Sequence, residues 1–530
     1  MPKIAIYDTS LRDGMQSERV NFSVEDKIKI ARKLDEFGVA YIEGGWPGAT
    51  QTDTEFFRRA RDIEFKNAKI AAFGSTRRAK YAACDDPLIL KLVESGAPVV
   101  TVFGKSWGLH VKDVFRIPLE QNLEMIHDTV RFLVSQGREV IYDAEHYFDG
   151  CKSDVQYALA CLKTAEEAGA SCVSLCETNG GALPSEVYKY TAAAVAHVGI
   201  TVGIHAHNDS GMAVADSIAA IQAGATHMQG TINGLGERCG NANICTIIPI
   251  VEIKMGLRCV PKGALGKLTE LSRYFDDIAN LIPDDRQPFV GNSAFAHKAG
   301  VHADAVAKNP RTYEHLKPEV VGNGRRILIS SYAGGSNVAQ KALKYGVDLS
   351  KQSPEVKTVL EQVMRLEHDG YSFAEAEASF ELILKKSLGQ YRKLFDLKGF
   401  RVIVEKRGPQ EEPITEVTLK IAVDGVEAFT VAEGDGPVHA LDNALRLALT
   451  QFYGKELAKI KLTDFKVRVV NTGAATAAKV RTVIESRDSN EVWSTVGVSE
   501  NIIEASWQAL ADSVEYGLLK HLGDAPAKGK

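Results

Sequence analysis

Two histidines one residue apart, His205 and His207, close the apolar run TVGIHAHND that begins at Thr201. If that run is a strand, residues i and i+2 point to the same side, and the two imidazoles share one face. Neutral imidazole is the commonest metal-binding side chain, so the pair can hold one ion. The same spacing also fits two hydrogen-bonded histidines lining a polar crevice. Near the N-terminus, DTSLRDG from Asp8 to Gly14 gathers a carboxylate, the Arg12 guanidinium and the Asp13 carboxylate behind another apolar run. Packing alone does not require so dense a polar cluster, although an ion-paired turn that stiffens a loop would also produce one. A third segment, GLGERCGN from Gly234 to Asn241, combines glycines that let the backbone approach a ligand with the amide oxygen of Asn241.

These segments acquire a common geometry from the elements that carry them. From Lys3 to about residue 256, short β-branched runs alternate with longer stretches of helical period. Candidate strands start at Lys3, Val39, Lys69, Val99, Glu139, Cys172, Thr201 and His227. The stretch after the first is helical, with Ser23 as its N-cap and Gly38 as its exit. Eight strand–helix units predict a (β/α)8 TIM barrel, an α/β fold whose active sites lie in the loops at the C-terminal ends of the strands. An open doubly wound sheet is the competing architecture, but no G-x-G-x-x-G follows the first strand. In a closed barrel the eighth strand lies beside the first. Asp13, His205, His207 and Asn241 can then meet around one ion, and mixed nitrogen and oxygen donors suit Zn²⁺, Mn²⁺ or Mg²⁺ in a Lewis-acid role.

The 530 residues exceed one compact core, and the rhythm changes twice more along the chain. Residues 1–256 form the predicted barrel and 257–395 a mostly helical, irregular linker region. Residues 396–530 form an α/β appendage in which two similar strand-and-helix units make an approximate repeat. The closing APAKGK is expected to be disordered. Apolar residues at 45% and charged residues at 25% match a soluble globular chain. A net charge of −5 gives no basic patch for nucleic acid or an anionic membrane. No run approaches the roughly 20 apolar residues that cross a bilayer. No secretory signal pattern opens the sequence, so a cytoplasmic location is expected. Eight dispersed cysteines without C-x-x-C spacing are expected to be free thiols.

The three polar segments, with HKAGVHADA at His297–Ala305 and GDGPVHALDNAL at Gly434–Leu445, resemble the 2-isopropylmalate, homocitrate and citramalate synthases over nearly the whole chain. The resemblance implies a metal-dependent condensation of acetyl-CoA with a small 2-oxo acid. It assigns Asp13, His205, His207 and Asn241 to the metal and Arg12 to the ketone oxygen. Thr178 in CETNGG is similar to the threonine that binds the oxo acid's carboxylate, and Glu145 in YDAEHY to an acidic position used in substrate binding and catalysis. Tyr142 in the same stretch is a further substrate-binding candidate. His302 and Tyr313 correspond to the pair implicated in removing the acetyl-CoA methyl proton, reaching the barrel of a partner in a homodimer. The linker would thus complete the active site, and the C-terminal domain would be regulatory, binding an amino-acid effector.

Two departures narrow this further. Met15 stands in RDGMQ where RDGEQ is usual, and EGGWPG at Glu43–Gly48 replaces the EVGFP of isopropylmalate synthases. The latter is similar to the citramalate branch, which implies pyruvate as substrate and isoleucine as effector, with Trp46 leaving room only for a methyl group. The alternatives are 2-oxoisovalerate with leucine feedback, a lyase of the same barrel group, and a catalytically silent amino-acid sensor.

Overall fold

The computed structural model describes residues 3–328, 335–344, 353–374, 376–470, 478–489 and 491–523. All eight expected runs are strands: β1 (Ala5–Asp8), β2 (Tyr41–Gly45), β3 (Lys69–Ser75), β4 (Val99–Lys105), β5 (Glu139–Glu145), β6 (Cys172–Glu177), β7 (Thr201–Ala206) and β8 (His227–Gly230). They form a closed parallel barrel in sequence order, sealed by β1 against β8 from Ala5–His227 to Asp8–Gly230. The chain divides into two compact units, one comprising Met1–Phe295 with Leu316–Arg325, the other Ala296–His315 with Arg326–Lys530.

Alternation along each strand sorts the barrel's side chains. Outward residues such as Ile6, Ile42, Val100 and Val140 join the apolar layer shared with the surrounding helices. Inward residues begin with a floor of Tyr7, Ala71, Val99, Ile141 and Cys172. Above it the interior is polar and fully buried. The Tyr7 hydroxyl donates to Glu43 Oε1 at 2.8 Å and lies 2.7 Å from Thr101 Oγ1, while Gln229 Nε2 donates to Asp143 Oδ1 at 2.9 Å. Such groups tolerate burial because each has a partner.

Helix Val24–Phe37 begins and ends as its sequence predicts. Ser23 and Asp26 form a reciprocal capping box, and the helix stops at Gly38, whose φ of 95° is left-handed. This helix also carries Lys27 into the apolar layer. The ammonium donates to the Gly44 carbonyl at 2.9 Å and is paired with Asp53, with no exposed surface of its own. The other Asp53 oxygen accepts the Trp46 N–H at 3.2 Å, so one buried ion pair holds the loop after β2.

In the second unit, the C-terminal part contains the expected repeat, each copy a three-stranded antiparallel sheet followed by a helix. Strands β11 (Asp396–Glu405), β12 (Ile414–Val423) and β13 (Val426–Gly434) make one antiparallel sheet, preceded in the chain by the two-residue strands β9 (Ala296–His297) and β10 (Arg326–Ile327). Helix Pro437–Leu457 follows β13. Strands β14 (Lys461–Val469), β15 (Val480–Arg487) and β16 (Val492–Ser499), then helix Ile502–Leu522, repeat the pattern. Leu419, Ile421, Leu441, Leu445, Trp493 and Leu510 belong to one shared core. The APAKGK tail lies outside the described residues, as does the end of the run KVRVVNTG that starts at Lys466. Among the described residues no helix is long and apolar enough to cross a membrane. All eight cysteines are unpaired.

Removing one partner of a buried ion pair strands the other charge, at a cost of about 3–5 kcal/mol. Asp53→Ala is therefore expected to lower the stability of the barrel by about that amount in urea unfolding. Lys27→Met added to it should recover most of the loss. A loss below about 1 kcal/mol would show that the pair is solvated in solution.

Candidate active site at the barrel mouth

Asp13 is placed by a single helical turn after β1. The Asp8 carboxylate accepts from Ser10 N and Oγ, each at 3.0 Å, and the Thr9 carbonyl then accepts the amides of Arg12, Asp13 and Gly14. Thr9 N–H donates to Gly230 O at 2.8 Å, tying this turn to the end of β8. His205 and His207 stand at the end of β7, and the chain after β8 folds back on them through Ala242 N–H to Ala206 O and a bridge pairing Asn241 with His207. Gly236 permits this fold: a Cβ there would lie 2.1 Å from the Asn241 amide nitrogen.

The result is a convergence of acceptors. Asp13 Oδ2 lies 3.3 Å from His205 Nε2 and 3.9 Å from His207 Nε2. His207 Nδ1 faces the Glu177 carbonyl at 3.2 Å, and a carbonyl only accepts, so the proton is on Nδ1. His205 Nδ1 faces Gln229 Oε1 at 3.0 Å, and the donation of Gln229 Nε2 to Asp143 sets the amide's orientation. His207 therefore turns an Nε2 lone pair toward the Asp13 carboxylate, and His205 presents its Nε2 to the same oxygen. Asp13 Oδ1 and Asn241 Oδ1 are buried without a hydrogen-bond partner, while Asn241 Nδ2 is committed to Leu235 O at 3.2 Å. Lone pairs gathered without a donor fit a divalent cation with mixed nitrogen and oxygen ligands. Asp13, His205 and His207 are the one group of metal-binding type found among the described residues.

Electrostatics agree with that use. Burial disfavours an ionised Asp13, but Arg12 and the imidazoles outweigh it and hold the carboxyl well below the usual range. Burial pulls His207 down to about 4, so its ring is neutral at pH 7. At His205 burial acts in the same direction, but the nearby Asp13 wins and the net shift is upward.

Arg12 is clamped on three sides. Its Nε donates to Glu43 Oε2 at 2.6 Å, its Nη1 to Asp13 Oδ2 at 3.0 Å, and its guanidinium carbon lies 3.7 Å from the centre of the Phe73 ring. Its Nη2 has no hydrogen-bond partner among the described residues, leaving one donor free at the mouth. Glu145 pairs with Lys105 directly across the β4–β5 ladder. Thr178, just after β6, accepts the His146 N–H on its hydroxyl at 2.9 Å.

One sequence candidate within the barrel is not brought into this group. Tyr142 is a correction. It lies on the outward face of β5, opposite Asp143 and Glu145, fully buried in the layer shared with the helices, its hydroxyl 3.5 Å from Ser106 Oγ. Strand alternation, which the motif YDAEHY obscures, turns it away from the mouth. His302 and Tyr313 belong to the second unit, where both are exposed and their rings lie 4.1 Å apart. There His297 Nε2 lies 3.2 Å from Glu314 Oε1, fastening the segment that carries them. Glu43 and Gln229 were not recognised from sequence as supports of the site; their signal was a polar residue at an inward position of a barrel strand.

Comparison with known proteins gives a consistent pattern. Residues 3–274 match the HMGL-like family model, 289–370 the homocitrate synthase post-HMGL domain-like model, and 375–518 the LeuA allosteric (dimerisation) domain. An (R)-citramalate synthase of Aquifex aeolicus is 51% identical over 98% of both chains, and one of Geobacter sulfurreducens is 50% identical over 98% of both. A probable 2-isopropylmalate synthase of Methanopyrus kandleri is 31% identical, over 97% of this chain and 98% of its own.

The donor set leads to an ordered pair of expectations. Titration of metal-stripped protein with Mn²⁺ should show one site per chain, abolished by His205→Ala with the fold intact by circular dichroism. Gln229→Leu removes only the group that orients His205 and should weaken Mn²⁺ by about 10–100-fold. Unchanged affinity in both variants would place the metal elsewhere.

Proposed function

The chain belongs to the (R)-citramalate synthase family, and from that premise we propose that it condenses the methyl carbon of acetyl-CoA onto pyruvate, yielding (R)-citramalate and free CoA. The observation that carries this reading is the convergence of Asp13, His205 and His207 with the unpartnered buried oxygens of Asp13 and Asn241, beside the free Nη2 of Arg12. A divalent ion held by those four residues, whether Zn²⁺, Mn²⁺ or Mg²⁺, would act as a Lewis acid toward the oxo acid's carbonyl.

The chain's own groups perform the remaining work. Arg12 keeps its positive charge under all ordinary conditions, and its Nη2–H would donate to the ketone oxygen as negative charge develops there. Because Glu43, Asp13 and Phe73 hold the guanidinium beforehand, little reorganisation accompanies that step. Thr178 would bind the carboxylate of the oxo acid, and Glu145 would position the substrate. His302, assisted by Tyr313 and supplied by the partner in a homodimer, would take the methyl proton of acetyl-CoA. The resulting enolate carbon bonds to the ketone carbon of pyruvate, the ketone oxygen gains a proton, and water then cleaves the thioester, releasing CoA.

An aromatic wall supports pyruvate over branched oxo acids. Trp46 stands edge-on to Phe73 and Phe103, 5.8 Å from each ring centre, and Phe73 and Phe103 stack at 5.4 Å. This bulk adjoins the Arg12 guanidinium and would crowd a branched side chain there. For the C-terminal domain, the match to an allosteric dimerisation domain supports an amino-acid effector site, with isoleucine the expected end-product inhibitor.

Thiol release from acetyl-CoA is expected with pyruvate, to be lost on chelation and restored by added Mn²⁺ or Mg²⁺. Preference for 2-oxoisovalerate would reassign the substrate to the isopropylmalate reaction, and no release with any oxo acid would refute a condensing enzyme. Trp46→Gly should shift the ratio of kcat/KM for 2-oxoisovalerate over pyruvate upward by about 10–200-fold, the usual worth of pocket space for an alkyl group. An unchanged ratio would remove Trp46 from specificity.

A further inference from the structure

The loops after β5, β6, β7 and β8 converge on a single residue, Thr178, and we propose that Arg238 is the positioning residue that aims the Thr178 hydroxyl at the carboxylate of the oxo acid. This rests on the assignment of Thr178 to that carboxylate made above. Arg238 lies in the loop after β8 and forms a two-point ion pair with Asp209 of the loop after β7, Nε to Oδ1 at 2.8 Å and Nη2 to Oδ2 at 2.9 Å. The same Nη2 also donates to the Thr178 carbonyl at 2.9 Å. From the other side, the loop after β5 supplies the His146 N–H to Thr178 Oγ1 at 2.9 Å.

Both gripping residues have unusual backbones. His146 has φ 57° and Arg238 φ 56°, in the left-handed region that residues with side chains enter only at a cost in free energy. Two such residues flanking one threonine are held there by their surroundings. His146 Nδ1 lies 3.3 Å from Asp149 Oδ2, and that oxygen accepts from Asn179 Nδ2 at 2.8 Å, tying down the residue next to Thr178. The loops after β6 and β7 also touch without clearance at Gly180. Its φ is +65°, and a Cβ there would lie 2.4 Å from Asp209 Oδ2 and 2.6 Å from the Asp209 nitrogen.

The grip has a chemical consequence. Thr178 Oγ1 already accepts one hydrogen bond, and its own hydroxyl hydrogen has no acceptor among the described residues. A hydroxyl whose oxygen is engaged by a donor presents its hydrogen to the next acceptor, and a carboxylate is the strongest acceptor on a 2-oxo acid. Arg238 fixes the backbone on which that hydroxyl turns. Lysine cannot replace it, because one ammonium does not span both carboxylate oxygens and the Thr178 carbonyl in a planar fork.

The test measures pyruvate affinity by calorimetry on the full chain loaded with Mn²⁺, with KM for the preferred oxo acid and for acetyl-CoA measured alongside. Arg238→Ala and Arg238→Lys should each weaken pyruvate by about tenfold or more, while KM for acetyl-CoA stays within about twofold. Asp209→Asn should weaken pyruvate in the same direction and serves if the Arg238 variants fail to fold. The combined Thr178→Val/Arg238→Ala variant should bind no more weakly than Thr178→Val alone, because the arginine acts through the threonine. Additive losses, a parallel rise in both KM values, or undiminished pyruvate affinity in Arg238→Ala and Asp209→Asn would each overturn the proposal. If Thr178→Val itself binds pyruvate like the wild type, the assignment of Thr178 falls and the clasp with it. If the threonine variant weakens binding and the arginine variants do not, only the clasp falls.

Discussion

The barrel mouth concentrates acceptor atoms that cannot satisfy one another. Asp13 Oδ2 faces the Nε2 atoms of His205 and His207, the His207 Nδ1–H is committed to the Glu177 carbonyl, and the second oxygen of Asp13 and the amide oxygen of Asn241 face no donor. In a buried setting such an arrangement is costly unless a cation supplies what is missing. Its persistence depends on the rigidity of what lies beneath and around it. Closure of β1 against β8 brings the Asp13 turn beside the segment that returns to β7.

Below the mouth, the barrel interior acts as a scaffold of hydrogen bonds. Asp143 holds Gln229, which holds His205. Tyr7 and Glu43 hold Arg12 in the same manner. Burial pushes the Asp143 carboxyl up to about 7, so the chain under His205 ends in a group balanced between its two charge states. Above the mouth, loops set the geometry and an ionic contact does what the ladder does below, Arg238 with Asp209, while Lys105 with Glu145 closes the ends of β4 and β5. Lys27 and Asp53 extend this pattern outward by anchoring the loop that carries Trp46.

Legibility from sequence followed the range of the interactions. The eight strands were evident because each is a short β-branched run bounded by helical periodicity, and Ser23 and Gly38 because capping is local. His205 and His207 declared themselves by spacing, and Asp13 and Asn241 joined them once closure placed β8 beside β1. Glu43, Gln229 and Arg238 escaped notice because their roles depend on partners 31, 24 and 60 positions away, at Arg12, His205 and Thr178. Tyr142 was misjudged for a related reason. Its motif neighbours Asp143 and Glu145 point inward, and period-two alternation sends it outward. In the C-terminal repeats, Val426–Gly434 was not singled out as a strand because its exposed positions and glutamates dilute the apolar pattern.

We propose that one cation completes the ligand set of Asp13, His205, His207 and Asn241. Anomalous diffraction from crystals grown with Mn²⁺ tests it most directly. A single strong peak about 2.0–2.3 Å from an Asp13 oxygen, both Nε2 atoms and Asn241 Oδ1 is the expected result. A mouth without a peak, or a peak whose ligands exclude the two histidines, would rule out a metal centre at this site.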